Sequence, residues 1–175
     1  MIMKQKTLKK LVLSGLIAAL VFVTTAFIAI PLGIGYANFG DCFVILAGLL
    51  LGPVYGSLAA VVGAALSDLI LGYGIYIPAT FIIKGLMALT VAIVAGRSGR
   101  SFRFWRIALS AALAEFAMVG GCLIFELFLY GGGAFATVPR NLVQGAVGLG
   151  GAIILCSTAK KLRLDGKFYN KPDRI

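Results

Sequence analysis

The chain is a series of long apolar runs, interrupted by turn residues and only rarely by charge. Residues 11–40, thirty in a row, carry no charged side chain, and neither do the 26 residues 42–67. Each run exceeds the roughly 20 apolar residues that take one helix across a bilayer. Pro31 and Gly33 close the first run, predicting a helix over about 8–30. Gly131, Gly132, Gly133 and Pro139 divide a later run into helices of about 106–130 and 138–160. The stretch 41–72 predicts two helices, because a single one would be ~48 Å long against a hydrocarbon core of ~30 Å. Gly52-Pro53 offers the turn between them.

The basic residues set orientation and count. All but Lys84 and Arg140 fall in three clusters. These are Lys4, Lys6, Lys9 and Lys10; Arg97, Arg100, Arg103 and Arg106; and Lys160, Lys161, Arg163, Lys167, Lys171 and Arg174. The positive-inside rule puts each cluster, and so both termini, in the cytoplasm. An even number of spans must then separate successive clusters. The expectation is an all-α integral membrane protein, one domain over 1–175, built as a six-helix transmembrane bundle. Its helices lie at about 8–30, 40–51, 54–72, 77–96, 106–130 and 138–160, with outer connections at 31–39, 73–76 and 131–137. One feature strains this scheme: residues 41–51 make only ~17 Å of helix, so the second span starts earlier, sits in thinned bilayer or is shielded by its neighbours.

Composition agrees with a membrane protein: 61% of residues are hydrophobic, 13% are charged and mean hydropathy is +1.03, where soluble domains carry about 25% charge. No appended soluble domain is expected, and the basic start KQKTLKK reads as a retained first helix, not a cleaved signal. The three cysteines, Cys42, Cys122 and Cys156, are widely spaced in apolar sequence, and there is no histidine. No metal site, disulfide framework or cofactor is expected. The net charge of +10 belongs to the membrane topology, and nucleic acid is not an expected partner.

With this topology the remaining polar groups gather near the outer face. Asp41 starts the second helix, Asp68 lies near the end of the third and Lys84 within the fourth. Glu126 is near the end of the fifth, and Arg140, Asn141 and Gln144 open the sixth. All are expected within ~10 Å of the outer boundary. Ionisable groups in a membrane cost roughly 2.5–3.5 kcal/mol each and persist mainly where they pair or line a polar cavity. Singly, each has a structural reading: Asp68 with Lys84 as an ion pair, Arg140 snorkelling to headgroups, Asp41 capping a helix. Together they predict a binding site, with Tyr36, Asn38 and Tyr76 at its rim. Phe39, Tyr73 and Tyr130 are also near enough to stack on a flat ring. Glu115 stands apart, deeper in the fifth helix, open between a proton-coupling role and burial against another helix.

Ser14 with Ala18, and Gly15 with Ala19, form small-xxx-small pairs that let another helix approach closely. Gly56, Ala60, Gly63 and Ala64 predict tight internal packing of the third helix.

The run NFGDCFVILAGLLLGPVYGSLAAVVGAALSDLILGYGIYIPATFIIKGLMA, residues 38–88, resembles the membrane-embedded substrate-binding (S) components of energy-coupling factor (ECF) vitamin transporters. The shared features are the asparagine and GD before a short helix, LLGP at the turn, D-x-x-x-G-Y, P-x-T-x-x-x-K-G, and VPRNLVQG opening the last helix. The resemblance implies six helices and a vitamin or precursor bound near the outer face. It implies docking to a transmembrane T component and two cytoplasmic ATPase subunits. It places substrate contacts at Asn38, Asn141 and Gln144, with Asp41 and Glu126 beside them, and T-component docking at Ser14 or Gly15 with Ala18 or Ala19. Members of that family are thought to topple in the bilayer to release their cargo.

The expected function is therefore a binding subunit without catalysis. The chain has no G-x-x-x-x-G-K-[ST] loop, so ATP hydrolysis falls to partners. A compact site of amides, carboxylates and tyrosines suits a small heteroaromatic, and the resemblance to S components assigned such ligands implies hydroxymethylpyrimidine or pyridoxine, with riboflavin, pantothenate or a deazapurine as other cargoes. The alternative is an autonomous proton-coupled transporter using Glu115 or Asp68. A membrane enzyme is disfavoured for want of a recognisable catalytic grouping.

Overall fold

The computed structural model describes residues 5–31, 36–96 and 104–161. Their order is helix α1 (Gln5–Ala26), strands β1 (Ala29–Pro31) and β2 (Tyr36–Asn38), then helices α2 (Gly40–Ile70), α3 (Ile77–Gly96), α4 (Phe104–Tyr130) and α5 (Val138–Lys161). Short 3-10 turns at Gly74–Tyr76 and Gly131–Thr137 introduce α3 and α5. Four helical stretches among the described residues are long and apolar enough to cross a bilayer: Thr7–Ala26, Gly40–Ile70, Gly74–Ala95 and Phe104–Thr158. The last of these holds both α4 and α5. Of the basic clusters, Lys4, Arg97, Arg100, Arg103, Arg163, Lys167, Lys171 and Arg174 lie outside the described residues.

The first helix ends at Ala26, short of the expected residue 30. The following residues form an antiparallel pair, with Ala29 opposite Asn38 and Pro31 opposite Tyr36. Pro31 has no N–H for a helix and biases Ile30 toward extended backbone, and β-branched Ile28 and Ile30 favour the strand. The connection from α1 to α2 thus holds a strand pair that delivers Asn38 to the start of α2.

Helix α2 is broken at Gly52, which has φ 79° and ψ −171°, and Pro53 follows it. Glycine takes this left-handed φ without the side-chain clash that other residues meet, and proline cannot supply the next helical hydrogen bond. The halves, 40–51 and 53–70, fold against each other so closely that a Cβ on Gly56 would stand 2.6 Å from the Ala47 carbonyl oxygen. This bend lies beside the start of α1, where Lys10 Nζ sits 5.7 Å from the centre of the Tyr55 ring. At the other end of the first half, Gly40 abuts the Thr25 side chain near the end of α1.

Helix α2 is the hub, packing on α1, α3 and α5, while α3 packs on α4 and α4 on α5. Missing side chains make these approaches close. Gly48 meets the backbone of Ala88 on α3, and Gly63 meets the Ala18 carbonyl and Val21 on α1. In lipid, where the hydrophobic effect does not press helices together, such van der Waals contact does. Val21, Val44, Ile45, Leu49, Met87, Val91 and Met118 fill the interior, whereas Leu16, Val54, Leu69, Phe81, Phe116 and Phe128 are exposed. A surface with so many large apolar side chains fits hydrocarbon and not water.

Candidate functional site

A cavity of about 400 Å³ opens where the end of α1, the strand pair, the second half of α2, α3, α4 and α5 converge. Two hydrogen-bonded networks build its polar wall.

The first centres on Asp41, in the first turn of α2 and fully buried. Lys84 of α3 forms an ion pair with Asp41 Oδ1, and Gln144 Nε2 of α5 donates to Oδ2 at 2.8 Å. Lys84 and Gln144 line the cavity, whereas Asp41 lies behind them. It is therefore a support that fixes two lining side chains. Its depth also differs from the expectation of a residue at the outer boundary. The Asp41 Cβ lies 3.0 Å from where a Cβ on Gly148 would stand, roughly 15 Å along α5 from its start. The first half of α2 thus begins inside the body, which explains why so short a helix suffices there.

The second network centres on Glu126 of α4, also fully buried. Its Oε1 accepts from Arg140 Nη2 at 2.8 Å and more distantly from the Tyr76 hydroxyl at 3.5 Å. Its Oε2 accepts from Asn141 Nδ2 at 3.3 Å and from the Thr137 hydroxyl. Arg140 reaches Asn141 Oδ1 through Nε and Nη2, both at 3.3 Å. The 3-10 turn before α5 makes this possible, since it returns Thr137, Arg140 and Asn141 to the C-terminal end of α4. A buried carboxylate with this many donors is compensated by charge and by hydrogen bonds together.

Aromatic residues close one side. The Tyr76 and Tyr130 hydroxyls share a hydrogen bond at 3.1 Å, in which Tyr130 can donate while Tyr76 donates to Glu126, and the Tyr76 ring meets Phe125 and Tyr73 edge to face at 5.4 and 6.2 Å. Tyr73, Tyr76 and Tyr130 all line the cavity.

Of the sequence-derived residues, Asn38, Asp68, Tyr76, Lys84, Glu126, Arg140, Asn141 and Gln144 line this one cavity. The Tyr36 side chain lies outside the described residues. Asn38 spends its Oδ1 on the N–H of Gly40 at 2.9 Å, turning the chain from β2 into α2. The Asp68–Lys84 ion pair considered above gives way to Asp41–Lys84. Asp68 stands beside Thr80 instead and keeps one buried oxygen, Oδ2, without a hydrogen-bond partner. Thr25, Thr80, Cys122 and Thr137 also line the cavity. Hydroxyls and thiols are too common in membrane helices to have singled these out. Among the described residues no group of three or more His, Cys, Asp and Glu side chains is placed to hold a metal.

The small residues of α1 divide between two faces. Ser14 bonds the Lys10 carbonyl at 2.7 Å, and Ala18 packs through its own carbonyl on Gly63. Gly15 and Ala19 are exposed, and a Cβ at Gly15 would meet nothing within 4 Å.

A family model described as "ECF-type riboflavin transporter, S component" matches residues 5–161. An uncharacterised protein of Pyrococcus woesei is 38% identical over 132 residues, 74% of this chain and 86% of that one. Among solved structures, the S component for biotin from an ECF-type ABC transporter superposes with a TM-score of 0.70. It does so over 97% of this chain and all of its own, at 17% identity, which is a likeness of fold.

Proposed function

The chain belongs to the S-component family of ECF-type riboflavin transporters, and from that premise we propose that its cavity captures one flat heteroaromatic vitamin or vitamin precursor for import. It is a multi-pass membrane transport subunit and not an enzyme. The observation that carries the proposal is the convergence of Lys84, Glu126, Arg140, Asn141, Gln144 and three tyrosines on one cavity of about 400 Å³. That volume is within the range of small-molecule sites. Amide, guanidinium and ammonium donors on one side suit carbonyls or ring nitrogens, and the tyrosines on the other suit the face of a ring.

In this reading the halves of α2 count as separate spans, giving six, with both termini cytoplasmic and the cavity toward the cell exterior. The membrane is the prokaryotic plasma membrane. A T component and two ATPase subunits supply the energy, and the exposed face of α1 at Gly15 and Ala19 meets the T component. Riboflavin is the first cargo to test, from the family's description. Hydroxymethylpyrimidine and pyridoxine are the single-ring cargoes that the site's residues suggest.

The experiment is purification followed by mass spectrometry of the retained small molecule, with titration of riboflavin, pyridoxine and hydroxymethylpyrimidine into ligand-free protein. Saturable one-to-one binding of one of them supports the proposal, and binding of none contradicts it. Uptake into proteoliposomes by this chain alone, driven by a proton gradient, would favour the autonomous transporter.

A further inference from the structure

Two acidic groups take part in neither network: Asp68, which lines the cavity beside Thr80, and Glu115, which is not among the cavity's lining residues. Glu115 of α4 is 5% exposed, and both its carboxyl oxygens are buried without a hydrogen-bond partner. The carboxyl fills the space that Gly145 and Gly148 leave on α5. A Cβ on Gly148 would collide with Glu115 Oε1 and stand 2.9 Å from its Cδ and 3.0 Å from the Asp41 Cβ. Gly145 and Gly148 continue the helix face of Asn141, one and two turns deeper. Glu115 therefore lies beneath the Asp41–Lys84–Gln144 floor of the cavity.

The charges around it do not balance. Asp41 faces Glu115 from α2, with Cys42 next to it, and Lys84 faces it from α3. From α5 come two glycines and the neutral Gln144. Met118 is its neighbour on α4 itself. Two ionised carboxyls would thus share one ammonium, leaving a negative charge among apolar groups, a strongly unfavourable arrangement in a membrane interior. One bound proton brings the trio to neutrality. Hard metal ions gather about six oxygen ligands or more, whereas a proton needs only one of the two that Glu115 offers.

We propose that Glu115 is a proton-binding site beneath the cavity floor, loaded in the state described here, and that its proton leaves Lys84 paired with Asp41 and available to the cavity. Loss of the proton creates a second carboxylate that competes for Lys84 and draws it away from the cargo. The first part concerns the proton alone and stands whether or not the cargo is a vitamin.

Infrared spectroscopy of the purified full-length protein in bilayers near neutral pH tests it, with the proton as the ligand observed. The expected result is a protonated-carboxyl C=O component, equivalent to one glutamate per chain, that shifts in D2O and is lost in Glu115→Gln; any component from Asp68, the other buried carboxyl outside the networks, is separated by Asp68→Asn. The glutamate component should be insensitive to exchanging sodium for potassium. Carboxyl-13C glutamate separates the band from the aspartates without any substitution, and because the chain has only two glutamates, Glu115 and Glu126, its persistence in Glu126→Gln assigns it to Glu115 if Glu115→Gln folds poorly. A spectrum with no such band, one in which no band takes the glutamate isotope shift, or a glutamate band that persists in Glu115→Gln overturns the proposal. So does a carboxylate band that moves with sodium, which would make the site a metal's.

Discussion

Asp41 shows how much a single buried carboxylate organises here. It holds Lys84 on one oxygen and Gln144 on the other, so removing Lys84 leaves a charge without compensation, whereas removing Gln144 leaves one oxygen without a donor. Lys84→Met is expected to destabilise the protein by about 3–5 kcal/mol, as breakage of buried ion pairs typically does. Thermal denaturation in detergent would show it as a large fall in Tm. The double variant Lys84→Met with Asp41→Asn should recover much of that loss, since it leaves no orphaned charge. Gly148 offers a second local test. Gly148→Ala places a methyl group where the Glu115 carboxyl lies, so Tm should fall, and adding Glu115→Ala should restore part of it. The charged side chains that line the cavity, Asp68, Lys84, Glu126 and Arg140, were legible in the sequence because charge inside an apolar run is expensive wherever it stands. The partner of Lys84 was not legible. Asp41 and Asp68 are both plausible by depth, and only the seating of α2 against Gly148 decides for Asp41.

Among the elements, the broken α2 shows what glycine and proline can and cannot reveal. The turn at Gly52-Pro53 was readable from composition, because φ 79° suits glycine and the lost hydrogen bond suits proline. Gly52→Ala should destabilise by about 1–3 kcal/mol, the cost of holding a residue with a Cβ in a positive-φ, extended-ψ region essentially reserved to glycine, measured by chemical denaturation. The strand pair was not readable. Its three-residue strands are too short to show an alternating pattern, and the first apolar run continues through them. The two faces of α1 give a contrasting pair of variants. Gly63→Leu should disrupt the α1–α2 contact and lower both stability and cargo binding. Gly15→Leu points into open space, so it should leave the fold and cargo binding intact while preventing co-purification with the T component and ATPases. Assembly that survives Gly15→Leu would place that contact elsewhere.

On the scale of the whole molecule, hydropathy carried the helical, membrane-capable character of the chain. Glycines let the helices approach closely, many large apolar residues face outward and most of the polar groups gather at one cavity, an arrangement suited to lipid around a polar site. The deep start of α2 escaped the sequence because a helix count assigns every span to the membrane surface. Only tertiary packing shows a helix that begins roughly 15 Å below the start of α5. The central claim is that this cavity is where the cargo binds, and Asn141 and Gln144 are the side chains that test it. Removing a buried hydrogen-bonding group costs about 1–3 kcal/mol. The most direct measurement is native mass spectrometry of the wild-type protein and of Asn141→Ala with Gln144→Ala, both folded and supplied with the cargo the wild type retains. One ligand per wild-type chain, with occupancy falling at least tenfold in the double variant, is the expected result; equal occupancy in both would contradict the account.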